Sequence, residues 1–392
     1  MLRAINAHDR TLQVHFVDAP ERFAAFKEGW LTLETVSEHP GFFQSYAWSG
    51  HVASVLSRAL AGTYQPLVAI GVRDGVVAAV WPLSRQKQSG IWYLRSLDDP
   101  FGQFSNVLAI DDASADEIVA VTLAHVRNQR LADVMRFDRV FAGSPLHAAL
   151  IKHGASVRGE VGAPVVSVGD WPSMEALKAS RNKKTMKNLR NANNRLAKAG
   201  AHEHRVAVGD QNVTAIVEQT LRRRTAWLDA KGMTAPQFRS VAHHDVLTGG
   251  GAWGLDRQRA GFELICDGRP IAHQWGFVHA NRYYAYMSAT DPAAVLLSPG
   301  RLHLAFVIGD AMRIGVKAVE LMTPASDYKM VWTDSVRPLC DMAMSLSGKG
   351  RIHDLLWEKT VRPVIKAIFY ALPAGIRRRA VANDAGDEVH DA

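Results

Sequence analysis

The chain has 392 residues, with 46 Lys+Arg, 38 Asp+Glu and a formal net charge of +8; 47% of its residues are hydrophobic and 21% charged. This is the balance of a globular protein of two domains, or three, and it excludes a disordered, fibrous or low-complexity chain. Two cysteines, Cys266 and Cys340, exclude a disulfide framework and a four-sulfur metal site, and no apolar run reaches the roughly 18 residues of a transmembrane helix.

The segment Met1 to Pro20 carries Asp9, His15 and Asp18 and no signal-peptide h-region, so cytoplasmic residence is the expectation. Ser45 to Leu60 places Trp48, Val52, Val55, Leu56 and Leu60 at helical spacing. Val68 to Leu83 predicts two strands joined at Asp74-Gly75, a dipeptide that supplies the positive φ of a tight hairpin turn. Ala115 to Arg130 predicts an amphipathic helix on Ile118, Val119, Leu123 and Val126.

Between Lys178 and Lys198 stand eight Lys/Arg and no acid, with a thin stripe of Met186, Leu189 and Leu196. This fits a mostly exposed basic helix, either merely solvated or facing an acidic partner such as a nucleotide-sugar, an anionic lipid or tRNA. Val213 to Leu228 predicts a helix whose Arg222-Arg223-Arg224 run is its solvated side. Phe262 to Phe277 repeats the first hairpin, with Asp267-Gly268 at the turn about half the chain later; a duplicated α/β unit is the economical explanation. Arg282 to Ser288 alternates as a strand. Arg301 to Ile314 is apolar nearly all round, a helix buried against a sheet and ended by Gly315, and Ala318 to Met322 is the next strand. Near the C-terminus, Trp357, Val361, Val364, Ile365, Ile368, Phe369 and Leu372 form an apolar stripe beside Lys359, Arg362 and Lys366. That pattern suits an interfacial helix on anionic lipid or a helix docked on the preceding unit.

The P-loop, C-x-x-C and H-E-x-x-H patterns are all missing, which leaves kinase and zinc-hydrolase readings unsupported; no metal is expected. Ser298-Pro299-Gly300-Arg301-Leu302 puts backbone amides and an arginine at a helix start. It is either an anion site suited to a pyrophosphate or simply the opening of a helix. Tyr328-Lys329 follows a strand: the ammonium could stabilise an oxyanion and the phenol could pass a proton to a leaving thiolate, or the pair could be an aromatic packed on the sheet with a solvated lysine. His273 and Tyr286, on neighbouring strands, are candidates for a general base or for lining the cleft, and equally ordinary sheet residues. Asp99, in the loop Asp98 to Ser105, either lines an acceptor groove or belongs to a turn.

Taken together, the Leu177-x-x-x-Arg181 start with its basic helix, the Asp267-Gly268 hairpin, Ser298-Pro299-Gly300, Gly315 and Tyr328-Lys329 with Trp332 resemble the acyltransferase fold of the GNAT superfamily, specifically its CelD/BcsL branch, which is similar to the FemAB aminoacyltransferases. The resemblance covers most of residues 170 to 345, and the first half only through hairpin pattern and order. It implies an α/β (α+β) fold of tandem GNAT-like units, each a mixed, mostly antiparallel sheet flanked by helices. The units would be residues 1–170 and 205–345, with a basic linker helix at 171–204 and a helical extension with an acidic tail at 346–392.

The resemblance further implies direct acyl transfer, without a covalent enzyme intermediate, from acyl-CoA to an amine or hydroxyl of a small molecule or a cell-envelope or exopolysaccharide precursor. Gly300 to Leu302 match the position that cradles the CoA pyrophosphate, although Ser-Pro-Gly-Arg departs from the usual Gln/Arg-x-x-Gly-x-Gly/Ala pattern. Arg181 would contact the substrate, and Lys329 takes the oxyanion role of the aromatic–lysine pair in FemAB relatives, which draw the acyl group from aminoacyl-tRNA. A non-catalytic scaffold that assists polysaccharide synthesis or binds anionic lipid is the non-enzyme alternative, and in either case the expected location is cytoplasmic, free or peripheral on the inner membrane face.

Overall fold

The computed structural model describes residues 11–37, 41–209, 211–231 and 240–356. The chain divides into two compact units, Met1–Val161 with Pro338–Leu355, and Gly162–Arg337 with Leu356–Ala392. The apolar stripe from Trp357 to Leu372 lies outside the described residues.

In the first unit the hairpin forms where the Asp-Gly pair predicts it. Asp74 and Gly75 both adopt positive φ (53° and 80°), and Val68–Arg73 pairs with Val76–Trp81. Gln13–Val17 and Leu108–Ala109 complete an antiparallel four-stranded sheet. Helix Tyr46–Ala59 starts at Ser45, whose hydroxyl accepts from Trp48 N, and helix Asp112–Asn128 starts at Asp111, which accepts from Ser114 N. Both hydroxyl and carboxylate caps satisfy amides that a helix start leaves open. A second sheet runs through Tyr64–Pro66, Leu83–Gln88, Ile91–Ser96 and Val134–Phe141, against which Leu339 to Ser345 pair antiparallel. Trp81, Leu123, Phe137 and Met342 lie in the core of this unit.

The second unit repeats the element order. His202–Val208, Arg259–Cys266, Arg269–His279 and Arg282–Thr290 form an antiparallel meander, and the Asp267-Gly268 turn again has positive φ at both residues (48° and 73°). Helices Gln211–Ala230 and Val241–Thr248 intervene between the first two strands. Helix Pro299–Arg313 leads into Ala318–Glu320, which lies parallel to Arg282–Tyr284 and antiparallel to Val165–Val166.

One face of this sheet packs on helix Gln211–Ala230, so closely at Gly261 that a Cβ there would sit 2.8 Å from Ile216 Cδ1. The other face packs on helix Pro299–Arg313, which buries Leu302, Leu304, Val307 and Ile308, each contributing about 1.5–3 kcal/mol. The helix is also tied through Asp310, in contact with His204, whose Nε2 lies 3.3 Å from His303 Nδ1. Burial and the nearby Arg313 push His204 down to about 4.

Two local features differ from the sequence reading. The basic segment is two helices, Met174–Ser180 and Lys183–Ala199. Arg181 is extended, and Asn182 caps the second helix by accepting from Lys184 N and Thr185 N; an Asn at that place is a start signal inside what looks like one run. Arg223 is not on a solvated side: its guanidinium donates to the Pro270 carbonyl (2.5 Å) and lies 3.4 Å from His273 Nδ1.

A bulge shapes the fourth strand of the meander. Trp275 pairs with Met287 and Phe277 with Tyr284, so Gly276 alone faces Ala285 and Tyr286. Parallel pairing with Ala318–Glu320 covers only Arg282 to Tyr284. Beyond it, Ala285 to Thr290 have no strand partner on that side among the described residues.

Candidate active site

A cavity of about 370 Å³ lies beyond the C-terminal ends of those two parallel strands, within the second unit. Ligands gather at such strand ends in open α/β sheets because loops and helix N-termini converge there. Three elements line it. The basic helix contributes Thr185, Met186, Asn188, Leu189, Asn191, Ala192 and Arg195; the start of helix Pro299–Arg313 contributes Ser298 and Arg301; and the segment after strand Ala318–Glu320 contributes Asp327, Tyr328, Val331 and Trp332. Cations, amides and hydroxyls thus share the cavity with an apolar wall, the lining an amphipathic anion requires.

The helix start is built from Ser298 in the left-handed region (φ 54°), followed by a buried Pro299 whose ring suits the first helical position. Ser298 does not cap with its side chain. Its carbonyl accepts from Arg301 N (3.2 Å) and Leu302 N (3.3 Å), and its hydroxyl accepts from Arg195 Nη2 (3.4 Å). Of the amides expected to form a cradle, Pro299 offers none and those of Arg301 and Leu302 are already engaged, which leaves Gly300 N–H. Leu302 points into the core. The anion-binding capacity of this end therefore rests on the Arg195 and Arg301 side chains together with the helix dipole.

Lys329 sits beside Tyr328 on the short helix Asp327–Met330. Its ammonium donates to the Met322 carbonyl (3.0 Å) and the Pro324 carbonyl (3.1 Å). An ammonium has three N–H donors, so one remains after these two bonds. Burial brings the Lys329 amine down to about 8 and raises the Tyr328 phenol.

The structure thus brings Ser298, Arg301 and Tyr328 to one cavity with Lys329 adjoining, and separates the other candidates from it. His273 is fully buried on the face covered by helix Gln211–Ala230, with Nε2 3.2 Å from Glu263 Oε1; its bond holds the Glu263 carboxyl below the usual range. The Tyr286 ring packs on Trp275 (5.0 Å) and Phe277 (5.7 Å). Asp99 belongs to the first unit, bonded to Arg95 (2.6 Å). Its neighbour Asp98, buried and accepting from Trp48 Nε1 (2.6 Å), is raised by burial to about 7.

Arg181 stacks over Trp171 and binds Asp334 (2.5 Å), which also accepts from Ser167 N. Arg181→Ala is expected to lower stability by about 2 kcal/mol, read from the urea midpoint, while ligand affinity of the folded protein changes less than about twofold. A large affinity loss at unchanged stability would instead make Arg181 a ligand contact.

Sequence reasoning missed Asn188, Asn191, Arg195 and Asp327. The only signal for the first three was Asn and Arg at i, i+3, i+7 on the basic helix, a spacing that marks one face without saying what it meets. Among the described residues, no cluster of His, Cys, Asp or Glu could hold a metal ion, and no helix is long and apolar enough to cross a membrane.

Residues 183–330 match the sequence family described as an acetyltransferase (GNAT) domain. No curated protein matches the chain. Among solved structures, the chain is similar to the crystal structure of FemX, with TM-score 0.57 and 11% identity over 88% of this chain and 99% of that one. It is also similar to a tandem GNAT protein from the clavulanic acid biosynthesis pathway, with TM-score 0.50 and 10% identity over 86% of this chain and 99% of that one. At such identities the likeness is one of fold, and the fold is a tandem of GNAT-like units.

Proposed function

We propose that this protein is an acyltransferase that uses acyl-CoA to modify an amine or hydroxyl of a cell-envelope or exopolysaccharide precursor, in the manner of the CelD/BcsL branch. The observation that carries the reading is the cavity in which Arg195, Arg301 and Ser298 meet Tyr328, Val331 and Trp332. Two arginines at a helix start suit a pyrophosphate, and the adjoining apolar wall suits a pantetheine arm.

In this scheme the acceptor attacks the thioester carbonyl directly, forming the new C–N or C–O bond and an oxyanion. The remaining Lys329 N–H stabilises that oxyanion. Collapse breaks the C–S bond, and the Tyr328 phenol gives its proton to the leaving thiolate and recovers one from the acceptor. Asp327 is the carboxylate of the cavity lining and, in this scheme, accepts an N–H or O–H of the neutral acceptor and so orients its lone pair toward the thioester.

Titration calorimetry with CoA and acetyl-CoA tests the donor. Binding is expected, and Arg195→Ala and Arg301→Ala should each weaken it about tenfold, the loss of one charge-assisted contact of about 1.4 kcal/mol. Absence of binding to either compound removes the CoA reading. The FemAB-like alternative draws support from the same Tyr328-Lys329 pair; retention of aminoacyl-tRNA by a protein indifferent to CoA would select it.

A further inference from the structure

We propose that the turn carrying Val295 and Leu296, together with the cationic edge of the basic helix, docks this protein on an anionic lipid bilayer. Val295 is 68% exposed and Leu296 84%, unusual for large aliphatic side chains that stand next to each other. They do not project from a loose loop. The 3-10 turn Pro292–Leu297 opens with Asp291, whose carboxylate accepts from Ala293 N (2.9 Å). Its inward residues, Ala294 and Leu297, pack with Ala192 and Leu196 of the basic helix. Arg195 Nε donates to the Leu296 carbonyl (3.4 Å) while Nη2 of the same guanidinium reaches Ser298 Oγ. The turn is pinned to the helix through its backbone, leaving two apolar side chains as a fixed wedge.

Lys184, Lys187, Asn191, Arg195 and Lys198 follow one another at spacings of three and four along this helix, and all five are exposed. They share one edge. Asn191 and Arg195 of that edge line the cavity, as does Ser298 immediately after the wedge. Cationic edge and apolar wedge therefore flank the same opening, and the helix carries no acid to oppose them. A small inserted apolar element beside lysines and arginines fits the boundary between acyl chains and anionic headgroups. A nucleic acid would use the cations and leave Leu296 without a role. Docked this way, the cavity would open toward the lipid surface. The inference stands apart from acyl transfer and does not need it.

The full chain is to be co-sedimented with vesicles of phosphatidylcholine alone and of phosphatidylcholine mixed with phosphatidylglycerol. Binding is expected only to the mixed vesicles and should fall as salt rises. The pair Val295→Asp with Leu296→Asp, and separately the triple Lys184→Glu, Lys187→Glu and Lys198→Glu, should each weaken it by about tenfold or more. Far-UV circular dichroism and CoA calorimetry serve as controls, since none of these five side chains lines the cavity. Three results would overturn the proposal. The first is vesicle binding by the Val295/Leu296 variant equal to the parent's. The second is retention of tRNA, sensitive only to the lysine changes, with no vesicle binding. The third is a dimer dissolved by the Val295/Leu296 changes with no vesicle binding, which gives the wedge to a second copy of the chain. A parent protein that binds CoA but neither kind of vesicle would refute this inference alone and leave the acyl-transfer reading standing.

Discussion

Gly276→Ala is expected to destabilise the second unit by more than about 4 kcal/mol, enough to lose most folded protein. A Cβ at this position would stand 1.8 Å from the Tyr284 carbonyl oxygen and 2.9 Å from Tyr286 N. Both are backbone atoms of the bulged strand, so no side-chain rotation relieves the overlap. Relief requires undoing the two-against-one pairing between Phe277–Tyr284 and Trp275–Met287, and with it the register of the strand that leads to Ser298. Gly300→Ala is the matched control. Its Cβ would meet only Thr290 Cγ2 at 3.5 Å, an ordinary contact, and a helical alanine restricts the unfolded chain, so stability should hold or rise by up to about 1 kcal/mol. Thermal and urea unfolding of both variants read the contrast. A Gly276→Ala protein as stable as its parent would mean that the bulge is not what fixes this strand.

Lys329→Met should lower kcat about 10²–10³-fold, the usual loss for one oxyanion donor, with a small change in KM for the acyl donor because the cavity lining remains. The pH profile separates two roles for the same residue. Burial brings Lys329 to about 8 from its ordinary 10.5, so the ammonium is the main form below about pH 8 and is lost above it. If the ammonium stabilises the oxyanion, the rate carried by Lys329 falls as pH rises through about 8. A rate that climbs through the same interval would make the free amine a general base. Lys329 also closes its own turn through the Met322 and Pro324 carbonyls, so circular dichroism must confirm that Lys329→Met is folded before its rate is interpreted. A folded Lys329→Met protein with parental turnover would leave the non-catalytic scaffold reading standing.

Much of the second unit was legible because its signals are local. Asp267-Gly268 specifies a turn that few other dipeptides support, and the strands on either side follow from it. The apolar run from Arg301 to Ile314 demands a buried helix whatever covers it, and the structure buries Leu302, Leu304, Val307 and Ile308. The recurrence of one hairpin half a chain later indicated the tandem, and the repeated order of strands and helices agrees with it. Ser298, Arg301 and Tyr328 could be nominated for the same reason: a helix start and a strand end are chemical environments defined by the backbone nearby.

What tertiary structure alone decided are the relations between segments far apart in the chain. The apolar stripe of Met186, Leu189 and Leu196 tells that the basic helix has a buried side, but packing of Leu189, Ala192 and Leu196 against Leu264, Ile271 and Leu302 turns Asn188, Asn191 and Arg195 toward the cavity and fixes Leu296 beside Arg195. Alternation places His273 on one sheet face without saying which helix covers that face. Arg223 and Glu263 settle it, and remove His273 from the cavity. The bulge at Gly276 likewise depends on the register of a neighbouring strand, which no local pattern specifies. The sequence by itself determined the two Asp-Gly hairpins and the apolar helix that follows Ser298, because those follow from backbone preference and periodicity. Which polar side chains meet across the cavity was decided by packing, because contacts between distant segments are set by how buried faces fit together.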